Sequence, residues 1–279
     1  MMRYTTKYLK MSLLMFLFTT VGVAQNLTVI SYNIRYNSQS DGEDIWDLRK
    51  GELVGQINQH SPDSFGVQEA TQIQMQYILE ALPEYAYVGV GRDNGATKGE
   101  YSAVFYLKEK FKLLESKTFW LSETPEEVSV GWDAALPRIC TYAQFKEHTT
   151  GRVFWHFNTH FDHVGKAARA NSALLIIEKI KSLVSTESVF VLTGDFNASP
   201  NELPITHLKN AFRDPLEHIE LSGPEGTFNA FNLQAPLGRR IDYIFFQGLT
   251  PLSYAHLSEK RANGRWISDH LLVKFDLAY

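Results

Sequence analysis

Apolar runs in this 279-residue chain break off abruptly into carboxylate, amide or imidazole, and that pattern restricts its folding more than any other feature. Ile30-Ser31-Tyr32 ends in Asn33, and Phe65-Gly66-Val67-Gln68 ends in Glu69. Val153 to Thr159 ends in His160, with Asp162 and His163 just beyond. Val191-Leu192-Thr193-Gly194 ends in Asp195-Phe196-Asn197, Arg239-Arg240 precedes Ile241-Asp242-Tyr243, and Ser268-Asp269-His270 opens the last run. Short apolar runs of this kind are strand-sized. Strands that share polar ends can bring them to one rim of a sheet, where α/β proteins hold ligands.

Between these runs the periodicity changes. Trp46 to His60 is predicted helical, with Leu48, Leu53, Val54 and Ile57 on one side, and Ile73 to Leu82 is a second helix. Lys166 to Val184 is a long helix whose predicted buried stripe is Leu174, Leu175, Ile177, Ile180 and Val184. Strands are predicted at 27–32, 64–67, 85–90, 101–107, 111–120, 138–147, 152–159, 189–192, 241–246 and 271–277. Sheets covered by helices follow from that alternation, and periodicity takes the fold no further than mixed α/β. An apolar fraction of 44% supports a packed core, and no linker or repeat interrupts residues 25–279, which read as one domain. The single cysteine, Cys140, excludes an intrachain disulfide and any cysteine-based zinc cluster, and reads as a small core residue.

Residues 1–24 carry the marks of a signal peptide: Arg3, Lys7 and Lys10, then an apolar run from Met11 to Val23 closing on Gly22-Val23-Ala24. A run of 13 residues is too short to cross a bilayer of about 30 Å comfortably. Export to the periplasm or beyond is the expectation, with no membrane span in the mature chain. Without those three cations, 24 basic residues face 31 acidic ones. No Lys/Arg-rich run is present, which argues against a protein that grips duplex DNA through its phosphates.

The polar set itself suits phosphoester chemistry. Its oxygen ligands fit Mg²⁺ or Mn²⁺, and its imidazoles lie near carboxylates that can orient them. Hydrolysis of a phosphoester needs a cation for developing charge, a base to ready water, and donors around the phosphoryl oxygens.

In order and context, five segments resemble the endonuclease/exonuclease/phosphatase superfamily: Asn33 within 31–35, Glu69 within 67–70, Gly194–Asn197, Arg240–Tyr243 and Ser268–His270. The resemblance runs from residue 28 to 275. It implies a four-layer α/β sandwich of the DNase I-like kind, with two mostly antiparallel sheets face to face, helices outside and the site at one rim. By the same resemblance Glu69 holds the metal, with Asp269 and Asn33 completing or supporting its shell. Asp195 orients or deprotonates water, Asn197 hydrogen-bonds a phosphoryl oxygen, and Asp242 orients His270. His160 matches the histidine that faces His270 across the site and either stabilises the transition state or protonates the leaving oxygen.

Four further residues are candidates for substrate contact, three of them with a plainer alternative. Arg49 is a phosphate ligand or a helix-start ion pair, and Arg169 a phosphate ligand or a surface ion pair. His163 lies at the site or on the surface, and Arg138, after the 131–137 loop, is a clamp. Asp41, Glu43 and Asp44 read as a solvated turn, and Trp120 and Trp132 as core. The expected function is a Mg²⁺- or Mn²⁺-dependent phosphoester hydrolase acting on a small or flexible phosphorylated substrate, as a monomer. A secreted nuclease and an inactive binding module on the same fold are the alternatives. Loops 37–46, 92–100 and 122–137 are where specificity is expected.

Overall fold

The computed structural model describes residues 1–2 and 26–279, so the predicted signal segment lies outside the described residues apart from Met1 and Met2. The chain runs β1 (Asn26–Asn33), α1 (Trp46–His60), β2 (Ser64–Ala70), α2 (Gln72–Ala81), β3 (Tyr85–Val88) and β4 (Tyr101–Leu107). It continues with β5 (Phe111–Trp120), β6 (Ile139–Glu147), β7 (Val153–His160), α3 (Lys166–Leu183), β8 (Val189–Asp195) and α4 (Leu203–Ala211). The last elements are β9 (Leu221–Ser222), β10 (Asp242–Gln247), β11 (Thr250–Leu257) and β12 (Leu272–Ala278).

Two sheets result, one ordered β3-β4-β2-β1-β12-β11-β9 and the other β10-β8-β7-β6-β5. Only β1 with β2, β9 with β11 and β7 with β8 pair parallel among the named strands. The sheets pack face to face through Val29, Val104, Phe145, Phe154, Val191, Ile244, Val273 and Phe275. Helices α1 and α2 cover the outer face of the first sheet through Leu53, Ile57, Met75 and Ile78. Helices α3 and α4 cover the second through Ala173, Ile176, Ile180, Ile205 and Leu208. This is the four-layer α/β sandwich expected from the sequence. No helix among the described residues is long and apolar enough to cross a membrane.

Several local readings change. Leu48 is 60% exposed and Leu174 47% exposed, so neither belongs to a buried stripe. The buried side of α3 is Ala168, Arg169, Ser172, Ala173, Ile176 and Ile180. Small residues at i, i+4 spacing let this helix lie close to the sheet, and a search for large apolar side chains overlooks them. Asp44 is buried between Arg261 and Arg265 rather than in a solvated turn. Cys140 is buried within β6, and Trp120 is buried with its indole N–H donated to the Arg92 carbonyl at 2.8 Å.

Toward the polar strand ends the space between the sheets becomes hydrophilic. Asn158 of β7 donates to the carbonyls of Val67 (2.8 Å) and Ala103 (2.9 Å) on the opposite sheet. Its side-chain oxygen accepts from Gln68 Nε2 (2.6 Å) and Thr193 Oγ1 (2.9 Å). Gly66 leaves room for this seam: a Cβ there would lie 2.4 Å from both Asn158 Oδ1 and Thr193 Oγ1. Gly66→Ala is therefore expected to destabilise the fold by about 1–3 kcal/mol, the usual cost of an overpacked interior. Urea unfolding checks this, and an unchanged midpoint would show that the seam yields freely.

Candidate active site

Register carries the polar ends to one place. In the second sheet Asp242 pairs with Asp195 across β10 and β8, and Asp195 pairs with His160 across β8 and β7. In the first sheet Asn33 pairs with Gln68, so Glu69 lies one residue beyond. Glu69 falls where β2 slips register against β4, between Val67 and Ala70, in a left-handed conformation with φ 63°. A bulge of this kind re-aims a side chain. Asn197 (φ 48°) and Arg35 (φ 55°) are also left-handed without being glycine. Non-glycine residues in this region carry strain of order 1–3 kcal/mol and cluster at functional sites. All three line one cavity of about 520 Å³, together with Tyr36, Glu100, Arg138, His160, His163, Asp195, Arg239, Asp269 and His270.

Within it, Asn33 Nδ2 donates to Glu69 Oε1 (3.1 Å) and Asp195 Oδ2 (2.9 Å), tying the two sheets' carboxylates together. Asn33 Oδ1 accepts the Arg35 backbone N–H at 3.0 Å. Its amide is thus engaged on both sides, in a supporting rather than a ligating position. Glu69 Oε2 accepts the Tyr36 N–H at 3.1 Å. Arg35 pairs with Asp41, stands 4.0 Å from Glu69 and 3.8 Å from Asp269, and lies 4.4 Å over the Tyr36 ring. His270 Nδ1 is 2.9 Å from Asp242 Oδ2, its Nε2 is 3.7 Å from Asp195, and Phe228 meets its ring edge-on at 4.9 Å. Asn197 Nδ2 is shared between His160 Nε2 (3.1 Å) and the Phe161 carbonyl (3.0 Å).

Burial decides the protonation states. Loss of water, with the neighbouring Asp242 charge, raises the Asp195 carboxyl to about 7, and burial raises Asp269 to about 6 and Glu100 to about 7. Burial opposes a charged His270, but Asp242 and Asp195 outweigh it and raise the imidazole to about 10. Burial and nearby Arg138 and Arg92 push His160 well below its ordinary value. So crowded a set of carboxylates calls for a cation. Glu69, Asp195 and His270 each offer a ligand atom, all within 4.8 Å of one another, and Asp269 stands beside them on the cavity wall. Most of these donors are hard oxygens, as Mg²⁺ or Mn²⁺ requires.

A model of the "Endonuclease/Exonuclease/phosphatase family" matches residues 30–270. The chain belongs to this family. A family member from Bacteroides thetaiotaomicron is 40% identical with TM-score 0.87, covering 92% of this chain and 98% of that one. A mannosyl-6-phosphatase of the same organism is also 40% identical, with TM-score 0.86 and 91% and 100% covered. An uncharacterised protein of Acanthamoeba polyphaga mimivirus is 31% identical over 172 residues, 59% of this chain. The chain spans 63% and 58% of the length of two curated relatives it matches. Family members are phosphoester hydrolases, and that class fits the donors gathered here.

Two sequence-based candidates lie elsewhere. Arg49 is fully buried and donates to the carbonyls of Asp44 (3.0 Å), Ile34 (2.6 Å) and Arg35 (2.8 Å), so it props the left-handed turn rather than touching the cavity. Arg169 donates to the Asp162 carbonyl (3.0 Å) and faces Glu202 (3.6 Å), likewise outside the cavity. Arg138 and His163 do line it. Sequence reasoning missed Arg35, Tyr36, Glu100, Phe228 and Arg239 as lining residues. Arg35 and Tyr36 follow directly on the Asn33 motif, so a signal existed, but only the left-handed turn aims them inward. Tyr101, next to Glu100, turns its hydroxyl to the Ala96 carbonyl (3.0 Å).

Arg49→Ala is expected to cost about 3 kcal/mol, since several buried carbonyls lose their donor at once. Thermal melting alongside kinetics checks this. A raised KM with an unchanged melting temperature would return Arg49 to the substrate.

Proposed function

We propose that this protein is an exported, Mg²⁺- or Mn²⁺-dependent phosphoester hydrolase acting on a small phosphorylated substrate, a phosphorylated carbohydrate being the best fit. The observation that carries the reading is the meeting of Glu69, Asp195, Asn197, His160, Asp269 and His270, drawn from the ends of both sheets, in one cavity. The mannosyl-6-phosphatase of 40% identity supports a carbohydrate.

In this reading Glu69 and Asp269 hold the cation, with Asn33 fixing Glu69 from behind. When bound there, a divalent cation would neutralise charge that develops on the phosphoryl group and on the departing ester oxygen. Asp195, raised by burial to about 7, is poised near neutrality to take the proton of the attacking water. The water oxygen forms the new bond to phosphorus as the ester oxygen leaves. Asn197 gives up its contact with His160 Nε2 to donate to a phosphoryl oxygen. His270, held by Asp242 and positively charged at neutral pH, offers Nε2 to another. His160 is uncharged at neutral pH and stabilises by hydrogen bonding rather than as an acid. Arg138 and His163 contact substrate, and Arg35, Tyr36 and Arg239 complete the wall.

Chelation with EDTA is expected to abolish release of p-nitrophenol from phosphate esters, with Mg²⁺ or Mn²⁺ restoring it. Asp195→Asn is expected to lower kcat by about 10² or more, since it removes the proton acceptor. Turnover indifferent to chelation would sink the metal assignment, and near-normal turnover in folded Asp195→Asn would remove that residue from the mechanism. Rapid plasmid nicking would instead make the protein a nuclease. Export rests on the positively charged start, apolar run and small residues before Gln25. N-terminal sequencing of the protein from an exporting host should begin at Gln25, and an intact Met1 would overturn cleavage.

A further inference from the structure

On the Glu69–Asp269 side of the cavity a guanidinium stands close to both carboxylates and bonds to neither. Arg35 Nε is 3.8 Å from Asp269 Oδ2, and its Nη1 is 4.0 Å from Glu69 Oε2. Both separations exceed a hydrogen bond but are short for a Coulomb attraction. The hydrogen bonds of this guanidinium go to Asp41 instead, Nε to Oδ2 at 3.0 Å and Nη2 to Oδ1 at 2.8 Å. Among the described residues Asp41 is the only carboxylate that Arg35 hydrogen-bonds. A two-bonded fork of this kind fixes direction as well as distance.

Neither end of the pair is free to drift. The left-handed Arg35 backbone bonds Asn33 Oδ1 through its N–H, and its carbonyl accepts from Arg49 and Gln74. Asp41 lies in the 3₁₀ segment Gln39–Asp44, and its side chain keeps only 7% exposure, so it is not the solvated group that the sequence suggests. That segment is anchored from the far end of the chain. Arg261 and Arg265 both bind Asp44, Arg261 also donates to the Glu43 carbonyl at 3.2 Å, and Arg265 reaches the Glu43 carboxylate at 2.8 Å. Glu69 meanwhile accepts one bond at each oxygen, from Asn33 and from the Tyr36 N–H, so each oxygen keeps a lone pair that Arg35 does not take.

We propose that Asp41 is a tether that holds Arg35 back from Glu69 and Asp269, and that the pair sets how tightly the site binds a divalent cation. This rests on the hydrolase reading given above only in taking Glu69 and Asp269 as the cation's carboxylates. Released from Asp41, Arg35 would close the remaining distance and occupy those carboxylates as an internal cation, in competition with the metal. Tethered, it leaves their lone pairs open, while its charge still disfavours a second cation beside it. The two residues therefore act with opposite signs. Arg35 weakens cation binding, Asp41 strengthens it, and Asp41 does so through Arg35, as a positioning residue.

Titration of the protein with Mn²⁺ alone, followed by the electron paramagnetic resonance signal of the free ion at about pH 8, reads this without turnover. Arg35→Gln is expected to tighten Kd by about tenfold and Asp41→Asn to weaken it by about tenfold, the scale of one charge a few ångströms from a partly buried ion. In the double variant Kd should match that of Arg35→Gln alone, since a tether without its guanidinium has nothing to hold. Thermal melting gives a second readout: saturating Mn²⁺ should raise Tm more in Arg35→Gln than in the wild type, and less in Asp41→Asn. An Arg35 that only braces its own turn would leave Kd unchanged or weaken it when replaced, and either result overturns the proposal. So does an Asp41→Asn effect that persists undiminished beside Arg35→Gln, which would make Asp41 a plain nearby charge. Should Arg35→Gln fail to fold, an unchanged or tightened Kd in Asp41→Asn overturns the proposal by itself. Mn²⁺ binding with the expected signs but no hydrolysis of any ester would sink the hydrolase reading and leave the tether standing. No Mn²⁺ bound by the wild type or by either variant would overturn the tether and the metal assignment together.

Discussion

Everything at the site depends on the polar seam that joins the two sheets beneath it. Apolar packing between sheets is non-directional and would tolerate sliding by fractions of a residue. Asn158 does not: its amide satisfies two carbonyls of the opposite sheet and accepts from Gln68 and Thr193. A satisfied buried network of this kind specifies one arrangement, because any shift strands its members without partners. Fixing β7 and β8 against β2 and β4 fixes His160 and Asp195 against Glu69. Asn33 completes the link by donating to Glu69 and Asp195 at once.

Strain is concentrated where that frame meets solvent. Arg35, Glu69 and Asn197 hold left-handed conformations at the cavity, and each is restrained from more than one side. The Arg35 turn is capped by Asn33 Oδ1 and held at its carbonyl by Arg49 and Gln74. Asn197 is held by Asp195 through its backbone and by His160 and Phe161 through its amide. Buried Arg49 thus acts on the site through the backbone it supports.

The corrections share a cause. Arg49 and Arg169 are candidates for substrate contact by their places in the chain, yet both end on buried carbonyls, which arginine also satisfies well. The face of α3 was misread because alanine and serine, not leucine, mark a helix pressed closely onto a sheet. Asp44 looked solvated because its partners, Arg261 and Arg265, lie more than two hundred residues away. Arg169 and Arg49 reach carbonyls near them in the chain, and Asp44 reaches arginines at the far end of it, but in each case burial decides the contact and local composition carries no trace of it.

What the sequence by itself determined were the periodicities, the strand ends and the order of the polar motifs. Those depend on local sterics and on where apolar runs stop, and both are written residue by residue. The periodicities gave mixed α/β, and the family resemblance that the ordered motifs carry implied the four-layer fold and about half of the residues lining the cavity. The tertiary structure alone decided which polar groups face one another. It also decided the left-handed turn that aims Arg35 and Tyr36 inward. These depend on sheet register, on bulges and on burial, and they exist only once segments distant in the chain have packed together.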